Sequence, residues 1–350
     1  MPLLITSVNS GEKKMKNNIT MRDIADKLGV SSVTVSKALN DKDGVSDELK
    51  QKIKVLAEEM GYRYNALAKS MKEGLSYNIG VIIPERFAGM DHQSFYLNVY
   101  QSITRVLESH EYYGILHILN SKDEKQLQLP RIYHEKKVDG FIILGQISKE
   151  YIEKIESIEL PKVFLDFYDE HADIDSVVTD NFNGAYEITN YLIQNGHREI
   201  GYVGNLYSTS SIQDRFLGYY KSLLEHNLKL NETYILDDRD EHGSYIDIKI
   251  PDQMPTAFVC NCDQVAHNLI QKLMKLGINV PDDCSVVSFD NDVYATITSP
   301  GLTTVEVDIE EMASHAVNFI LAKIKDETKS FGRVLVKGKI VYRNSVKKIG

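Results

Sequence analysis

Apolar residues in 21–28 fall at Met21, Ile24, Ala25 and Leu28, the i, i+3, i+4, i+7 spacing of a helix with one buried face. Thr20 can cap its start, Asp23 offsets the helix dipole in the first turn, and Gly29 can take the positive φ at which a helix stops abruptly. A second helix follows at once, with Ser31 as cap and Val35, Ala38 and Leu39 facing inward, which leaves Ser32, Val33, Ser36 and Lys37 to point elsewhere. Ala25 is small where the two helices would cross. Residues 45–60 predict a third helix, capped by Ser46, with Asp47 and Glu48 in its first turn and Leu49, Ile53, Leu56, Ala57 and Met60 on its inner face. Two short helices around a Gly turn make a helix-turn-helix, and the third lets them close a small core.

After a linker at 72–78 the pattern changes to short apolar runs alternating with helical periodicity. Strands are predicted at 79–83, 113–119, 140–144 and 162–165, separated by helices at 95–109, 124–136 and 149–157. A second series starts after Asp180, with helices at 184–195, 212–226 and 265–276 and strands at 199–203, 257–260 and 285–289. The fold class is therefore α/β, a small all-α headpiece followed by two successive doubly wound parallel sheets. Two like lobes imply a ligand cleft between them, at the carboxyl ends of the strands. Residues 237–254 break the rhythm: Tyr245, Asp247 and Lys249 alternate with Ile246, Ile248 and Ile250, which reads as extended chain or a shortened connection.

Charge sharpens the division. The chain carries −10 overall, yet residues 1–78 hold 13 Lys and Arg against 10 Asp and Glu, a surplus of three that leaves −13 on the remainder. A basic headpiece on an acidic body suits a nucleic-acid partner, because the cations release phosphate counterions while the body discourages nonspecific adhesion. The 350 residues suffice for such a headpiece plus a two-lobed core. Three cysteines, Cys260, Cys262 and Cys284, fit a reducing compartment better than a disulfide framework, and the C-x-C they contain lacks the further ligands of a metal site. No apolar run is long enough to span a membrane, and residues 1–14 lack the core of a secretory signal; 1–18 reads as a disordered extension, with Met15 an alternative start. G-x-S-x-G, H-E-x-x-H and a phosphate loop are all missing, so neither an enzyme nor a cofactor is expected.

GVSSVTVSKALN, then VSDELKQKIKVLAEEMGYRYNALAKSM, resembles the DNA-binding headpiece of the lactose-repressor (LacI/GalR) family of transcriptional regulators. Further segments extend the likeness over about 19–346, among them VDGFIILG, PKVFLD, VVTDNFNGAYEITNYLIQNGHREIGYVG, DRFLGYYKSL, PTAFVCNCDQVA and VPDDCSVVSFDND. The resemblance implies a helix-turn-helix domain at 19–64, a hinge helix and linker at 65–78, and an effector-binding and dimerisation domain at 79–346. Its N-lobe would comprise 79–179 and 309–329 and its C-lobe 180–307 and 332–346, with crossings near 179–180, 307–309 and 329–332 and C-lobe strands over 333–343. Two hinge positions depart from the pattern: Tyr64 stands where Pro is usual, and Met71 where the family has the Leu that wedges into the minor groove. Methionine is apolar and flexible enough to insert between base steps.

Carried over residue by residue, the likeness assigns Ser32, Val33 and Lys37 to base edges and Ser31, Thr34, Asn40 and Asn65 to phosphate positioning, with Ala68 and Met71 in the hinge. Lys37 can donate to guanine O6 or N7, Ser32 to several bases, and Val33 can touch a thymine methyl. Asp166, Arg215 and Asp290 match effector contacts, and Phe95, Tyr96, Phe167 and Tyr168 are candidates for an apolar face against a sugar ring. Cys262 replaces the family's usual Asn, so one amide contact to the effector is lost or replaced. The expected partners are a pseudo-palindromic double-stranded operator, a mono- or disaccharide effector and a second copy of the chain, in the bacterial cytoplasm at the nucleoid. The chain ends VYRNSVKKIG without the Leu heptad of the family's tetramers, which favours a dimer. A regulator answering to a partner protein, of the carbon-catabolite type, and a stand-alone sugar-binding protein are the alternatives.

Overall fold

The computed structural model describes residues 19–62, 70, 73–88, 93–240 and 243–349. They form two compact units that part after Gly74. In the first, α1 (Met21–Leu28), α2 (Ser32–Leu39) and α3 (Asp47–Glu59) close around Ile24, Ala25, Val35, Ala38, Ile53 and Ala57, all buried. Each helix start is satisfied by the residue that the sequence offers. Thr20 and Asp23 form a reciprocal capping box, Ser31 Oγ accepts from the Thr34 amide at 3.0 Å, and Ser46 Oγ accepts from the Leu49 amide at 3.4 Å. Gly29 ends α1 at φ 66°, a left-handed conformation strained for any residue with a Cβ.

The second unit contains two six-stranded sheets. Its first series runs β1 (Asn78–Pro84), α4 (Gln93–Ser109), β2 (Tyr113–Leu119), β3 (Gly140–Leu144), α5 (Lys149–Glu156), β4 (Lys162–Leu165) and β5 (Ser176–Thr179). The second runs α6 (Asn181–Gln194), β6 (Ile200–Val203), α7 (Ser210–Glu225), β7 (Ile235–Leu236), β8 (Ala257–Cys260), α8 (Asp263–Lys275), β9 (Ser285–Asp290) and β10 (Thr303–Glu306). The chain then returns through α9 (Ile309–Lys325), β11 (Arg333–Val336) and β12 (Lys339–Val341). Strand order is β11-β5-β4-β3-β1-β2 in one sheet and β7-β6-β8-β9-β10-β12 in the other, with every pairing parallel except β10 with β12. Both orders reverse, at β1/β3 and at β6/β8, and these are the positions where open parallel sheets leave a crevice.

Along the central strands, alternation sends successive side chains into two different cores, so both faces are buried. Ile79, Val81, Ile142 and Leu144 join one core with residues of α4 and α9, while Ile82, Phe141, Ile143 and Phe164 join another with residues of α5. The second sheet repeats the arrangement, Tyr202, Val259 and Phe289 packing with α6 and α7, and Phe258, Cys260 and Val286 with α8.

The structure departs from the sequence reading in three places. The expected helix at 124–136 is two short helices, Ser121–Lys125 and Arg131–His134, because Pro130 cannot donate into a continuous helix and Leu127 takes φ 54°. The C-lobe strands expected over 333–343 are divided: Arg333–Val336 pairs with β5 in the first sheet, and Lys339–Val341 alone joins the second. Asp175, buried beside β5, fixes that outcome by accepting from the Phe331 and Gly332 amides at 2.8 and 2.7 Å, so the third crossing falls at 337–338 instead of 329–332. Finally, Phe167 and Tyr168 turn away from the cleft, Phe167 into the core against Phe164 at 4.3 Å and Tyr168 toward Asp214.

Candidate functional site

Along α2 the buried Val35 and Ala38 force the remaining side chains outward, and Val33 is 65% exposed, with Ser32 and Lys37 also free of the core. Three neighbours have internal work: the Ser31 and Thr34 hydroxyls share a 2.9 Å hydrogen bond, and Asn40 Nδ2 donates to the Ser36 carbonyl at 2.7 Å. Ser31 thus caps α2 while standing at an exposed helix start, where unpaired amides favour an anion. Asn65, Ala68 and Met71 lie outside the described residues.

A cleft of about 680 Å³, counted to its open mouth, lies at the carboxyl ends of both sheets. Asp166 follows β4 and Asp290 closes β9, each at positive φ, 67° and 105°, which turns these side chains off the strand direction. Tyr96, from the first turn of α4, donates its hydroxyl to Asp166 Oδ2 at 3.0 Å and stacks on Phe87 with centroids 4.9 Å apart. Gly145 makes room for them: at φ 87°, a Cβ there would come within 2.9 Å of Phe87 and 3.1 Å of Tyr96. Arg215, from α7, is held on several sides. Its Nε donates to Asn181 Oδ1 at 2.7 Å, Nη1 to the Asn261 carbonyl and Nη2 to Asp290 Oδ1 at 3.5 Å, and its guanidinium lies 4.3 Å from the Phe289 ring centroid.

Burial dominates the electrostatics. It raises the Asp166 carboxyl to about 6, against the opposing pull of Arg215 and the Tyr96 hydrogen bond, and it raises Asp290 well above the carboxylate range despite Arg215. Burial likewise lifts the Cys262 thiol to about 12, so this cysteine stands in the cleft as a neutral group. Phe95, Tyr96, Asp166, Arg215, Cys262 and Asp290 all line this one cleft.

Other lining groups were not legible in the sequence. Arg239 and Tyr245 come from the irregular 237–254 segment, joined by an antiparallel bridge, with the guanidinium 5.1 Å from the Tyr245 ring centroid. Asn261 is buried, its Nδ2 donating to Asp238 Oδ2 at 2.8 Å, and Gln146 and Gln264 add amides. The polar alternation about Tyr245 was the available signal for the segment, but nothing in it showed which residues fold inward.

Comparison with known proteins addresses the family. Residues 20–65 match the profile described as bacterial regulatory proteins, lacI family, and 189–346 match a periplasmic binding protein-like domain. The HTH-type transcriptional repressor PurR of Vibrio campbellii is 30% identical over 336 residues, 94% of this chain and 99% of that protein. The chain belongs to the lacI family of bacterial regulatory proteins.

Other lacI-family relatives agree in length and kind. The HTH-type transcriptional regulator RegA of Clostridium saccharobutylicum is 30% identical over 93% of this chain and 98% of its own, and catabolite control protein A of Priestia megaterium 28% over 94% and 100%. Among solved structures, the lac repressor dimer bound to operator and the anti-inducer ONPF superposes with a TM-score of 0.73 at 20% identity, covering 94% of this chain and 99% of that one. A complex of the transcriptional regulator CelR with cellobiose gives 0.67 at 20% identity, over 94% and 100%. These structures share the lacI-family fold, helix-turn-helix and two-lobed core alike. The chain is a DNA-binding transcription regulator of this family, and its relatives are regulators, not enzymes. No helix among the described residues is long and apolar enough to cross a membrane.

Proposed function

We infer that this regulator is a repressor whose grip on a pseudo-palindromic operator is set by a small polyhydroxylated effector, a mono- or disaccharide, held between the two lobes. The observation that carries this reading is the convergence of Asp166, Arg215 and Asp290 in one cleft with Phe95 and Tyr96. Carboxylates and a guanidinium bond vicinal hydroxyls in pairs, while aromatic rings take the apolar face of a pyranose. A related regulator has been solved with cellobiose, which is in keeping with such a ligand. Homodimerisation and a cytoplasmic place complete the proposal, the former in keeping with the lac repressor dimer on its operator.

On DNA, Ser32, Val33 and Lys37 would read base edges while Ser31, Thr34, Asn40 and Asn65 position phosphates. Two Met71 side chains would open a central base step, at a cost of a few kcal/mol recovered by the bend and added contacts. Against so narrow a balance, an effector that favours one lobe angle by about 1–3 kcal/mol changes operator affinity roughly fivefold to 150-fold. A thermal-shift panel of mono- and disaccharides tests the effector: at least one sugar should raise the melting temperature by mass action. If no sugar raises it at millimolar concentration, the effector is not a saccharide.

A further inference from the structure

The turn that carries Asp290 into the cleft is held from outside the cleft. β9 ends at Asp290 with φ 105°, and Asn291 follows at φ 53°, two successive residues with a Cβ on the left-handed side of backbone space. Asparagine tolerates that region, but aspartate at 105° lies beyond its centre, and such backbone persists only where neighbours over-determine it. Asp292, next in the chain, donates its amide to the buried Asp263 at 2.9 Å, which fixes the far side of the turn. The middle is fixed through the Asn291 side chain. Its Nδ2 donates to Glu306 Oε1 at 2.9 Å, and its Oδ1 accepts from Arg343 Nη2 at 2.6 Å. Glu306 is exposed, so water competes for its bond, whereas Arg343 is half-buried and anchored on the protein.

That anchorage comes from the chain beyond β12. Arg343 Nη1 donates to the Leu302 carbonyl at 2.8 Å, and the Arg343 amide donates to Thr303 Oγ1 at 2.9 Å. Two residues on, the fully buried Ser345 accepts from the Thr303 amide at 2.8 Å and donates to the Val286 carbonyl at 2.6 Å, which stitches the segment to β9 and β10. The guanidinium is thus a strut, with one nitrogen on Leu302 and another on the turn. Neither Arg343 nor Asn291 lines the cleft, so what they do for it passes through Asp290. Asp290 Oδ1 stands 3.5 Å from Arg215 Nη2, at the limit of a hydrogen bond, and a small rotation of the turn would break that contact.

We propose that Arg343 is a positioning residue for the cleft: bonded to Asn291 Oδ1, it holds the left-handed turn that directs the Asp290 carboxyl group at Arg215 and the effector. This inference rests on the reading of Asp290 as an effector contact and adds the residue that aims it. A role confined to fastening the 343–349 segment would belong equally to Ser345, which holds the same segment without touching Asn291. Arg343→Met keeps the stem and removes both donors, and Ser345→Ala is the comparison.

Crystal structures of the ligand-free full-length parent, Arg343→Met and Ser345→Ala, with isothermal titration of each by glucose, galactose, cellobiose and maltose, separate the outcomes. In Arg343→Met the backbone at 290 is expected to leave the left-handed region and the Asp290 carboxyl group to withdraw from Arg215 by more than about 1 Å. Affinity for the sugar that binds the parent should then fall roughly tenfold. Ser345→Ala is expected to keep the turn and to stay within about threefold of the parent's affinity. An unmoved turn in Arg343→Met overturns the inference, as does a moved turn with unaltered affinity or an equal movement in Ser345→Ala. If Arg343→Met fails to fold, Asn291→Ala, which removes the acceptor instead of the donor, carries the same expectations. If the parent binds none of the four sugars, the saccharide reading fails, and the structures alone decide whether Arg343 aims Asp290.

Discussion

Asp166 shows how much a single side chain decides here. It is 7% exposed, its ordinary value near 3.8 is raised to about 6, and burial is the chief cause. A carboxyl group raised in the folded state costs nothing below its unfolded value, where both states are protonated, and costs progressively more as pH climbs through the folded value. Asp166→Asn keeps an acceptor for Tyr96 and removes the ionisation. The variant should therefore gain stability over the parent at pH 8, by up to about 3 kcal/mol, and show little gain at pH 4. Chemical denaturation of both proteins at the two pH values checks this; a gain that is equal at both would mean that ionisation is not the cost. At the opposite end of the chain Lys37→Ala should cost about 1–3 kcal/mol of operator affinity and relax preference at one base position, read by fluorescence anisotropy on singly substituted operators. At this scale the sequence was only partly legible. Arg215 and Asp290 could be singled out through the family resemblance, whereas Arg239 and Gln264 could not, because a loop has no periodicity to say which side chains turn inward.

Elements were more readable, for a physical reason: burial on both faces leaves the strands as apolar runs, and caps mark the helix starts. What periodicity could not show was partnership. Arg333–Val336 has the composition of a strand for either sheet, and it is the hydrogen bonds from Phe331 and Gly332 to Asp175 that place it in the first. Helix contacts are likewise hidden in sequence. In the interior of α7, Gly218 would ordinarily gain from substitution by alanine, a better helix former by about 1 kcal/mol. Here a Cβ would stand 2.0 Å from the Phe182 carbonyl oxygen of α6. Gly218→Ala should therefore destabilise, by about 1–3 kcal/mol net, lowering the melting temperature by several degrees. A rise would show that the two helices can separate freely. Between the lobes, the Tyr168 hydroxyl donates to Asp214 at 3.0 and 3.1 Å, while Arg333 covers its ring at 3.9 Å. Since Tyr168 does not line the cleft, Tyr168→Phe should act through the lobe angle alone, weakening effector affinity by about 1–2 kcal/mol in calorimetry. An unaltered affinity would mean that this contact does not bear on closure.

For the whole molecule, the division after Gly74 separates a helix-turn-helix headpiece from a core that carries the cleft. The charge asymmetry, a surplus of three cations over residues 1–78 against −13 beyond, follows the same line. In the proposed mechanism the hinge links the two: Met71→Asp should weaken operator binding severely, because a carboxylate cannot enter a base step, while the melting of the core is unchanged. The central claim is that occupancy of the cleft sets operator affinity. The direct measurement is a fluorescence-anisotropy titration of full-length protein on an operator selected from random duplex DNA, with and without the sugar that raises its melting temperature. A shift in dissociation constant of roughly fivefold to 150-fold is predicted. Superimposable curves at saturating sugar would contradict it.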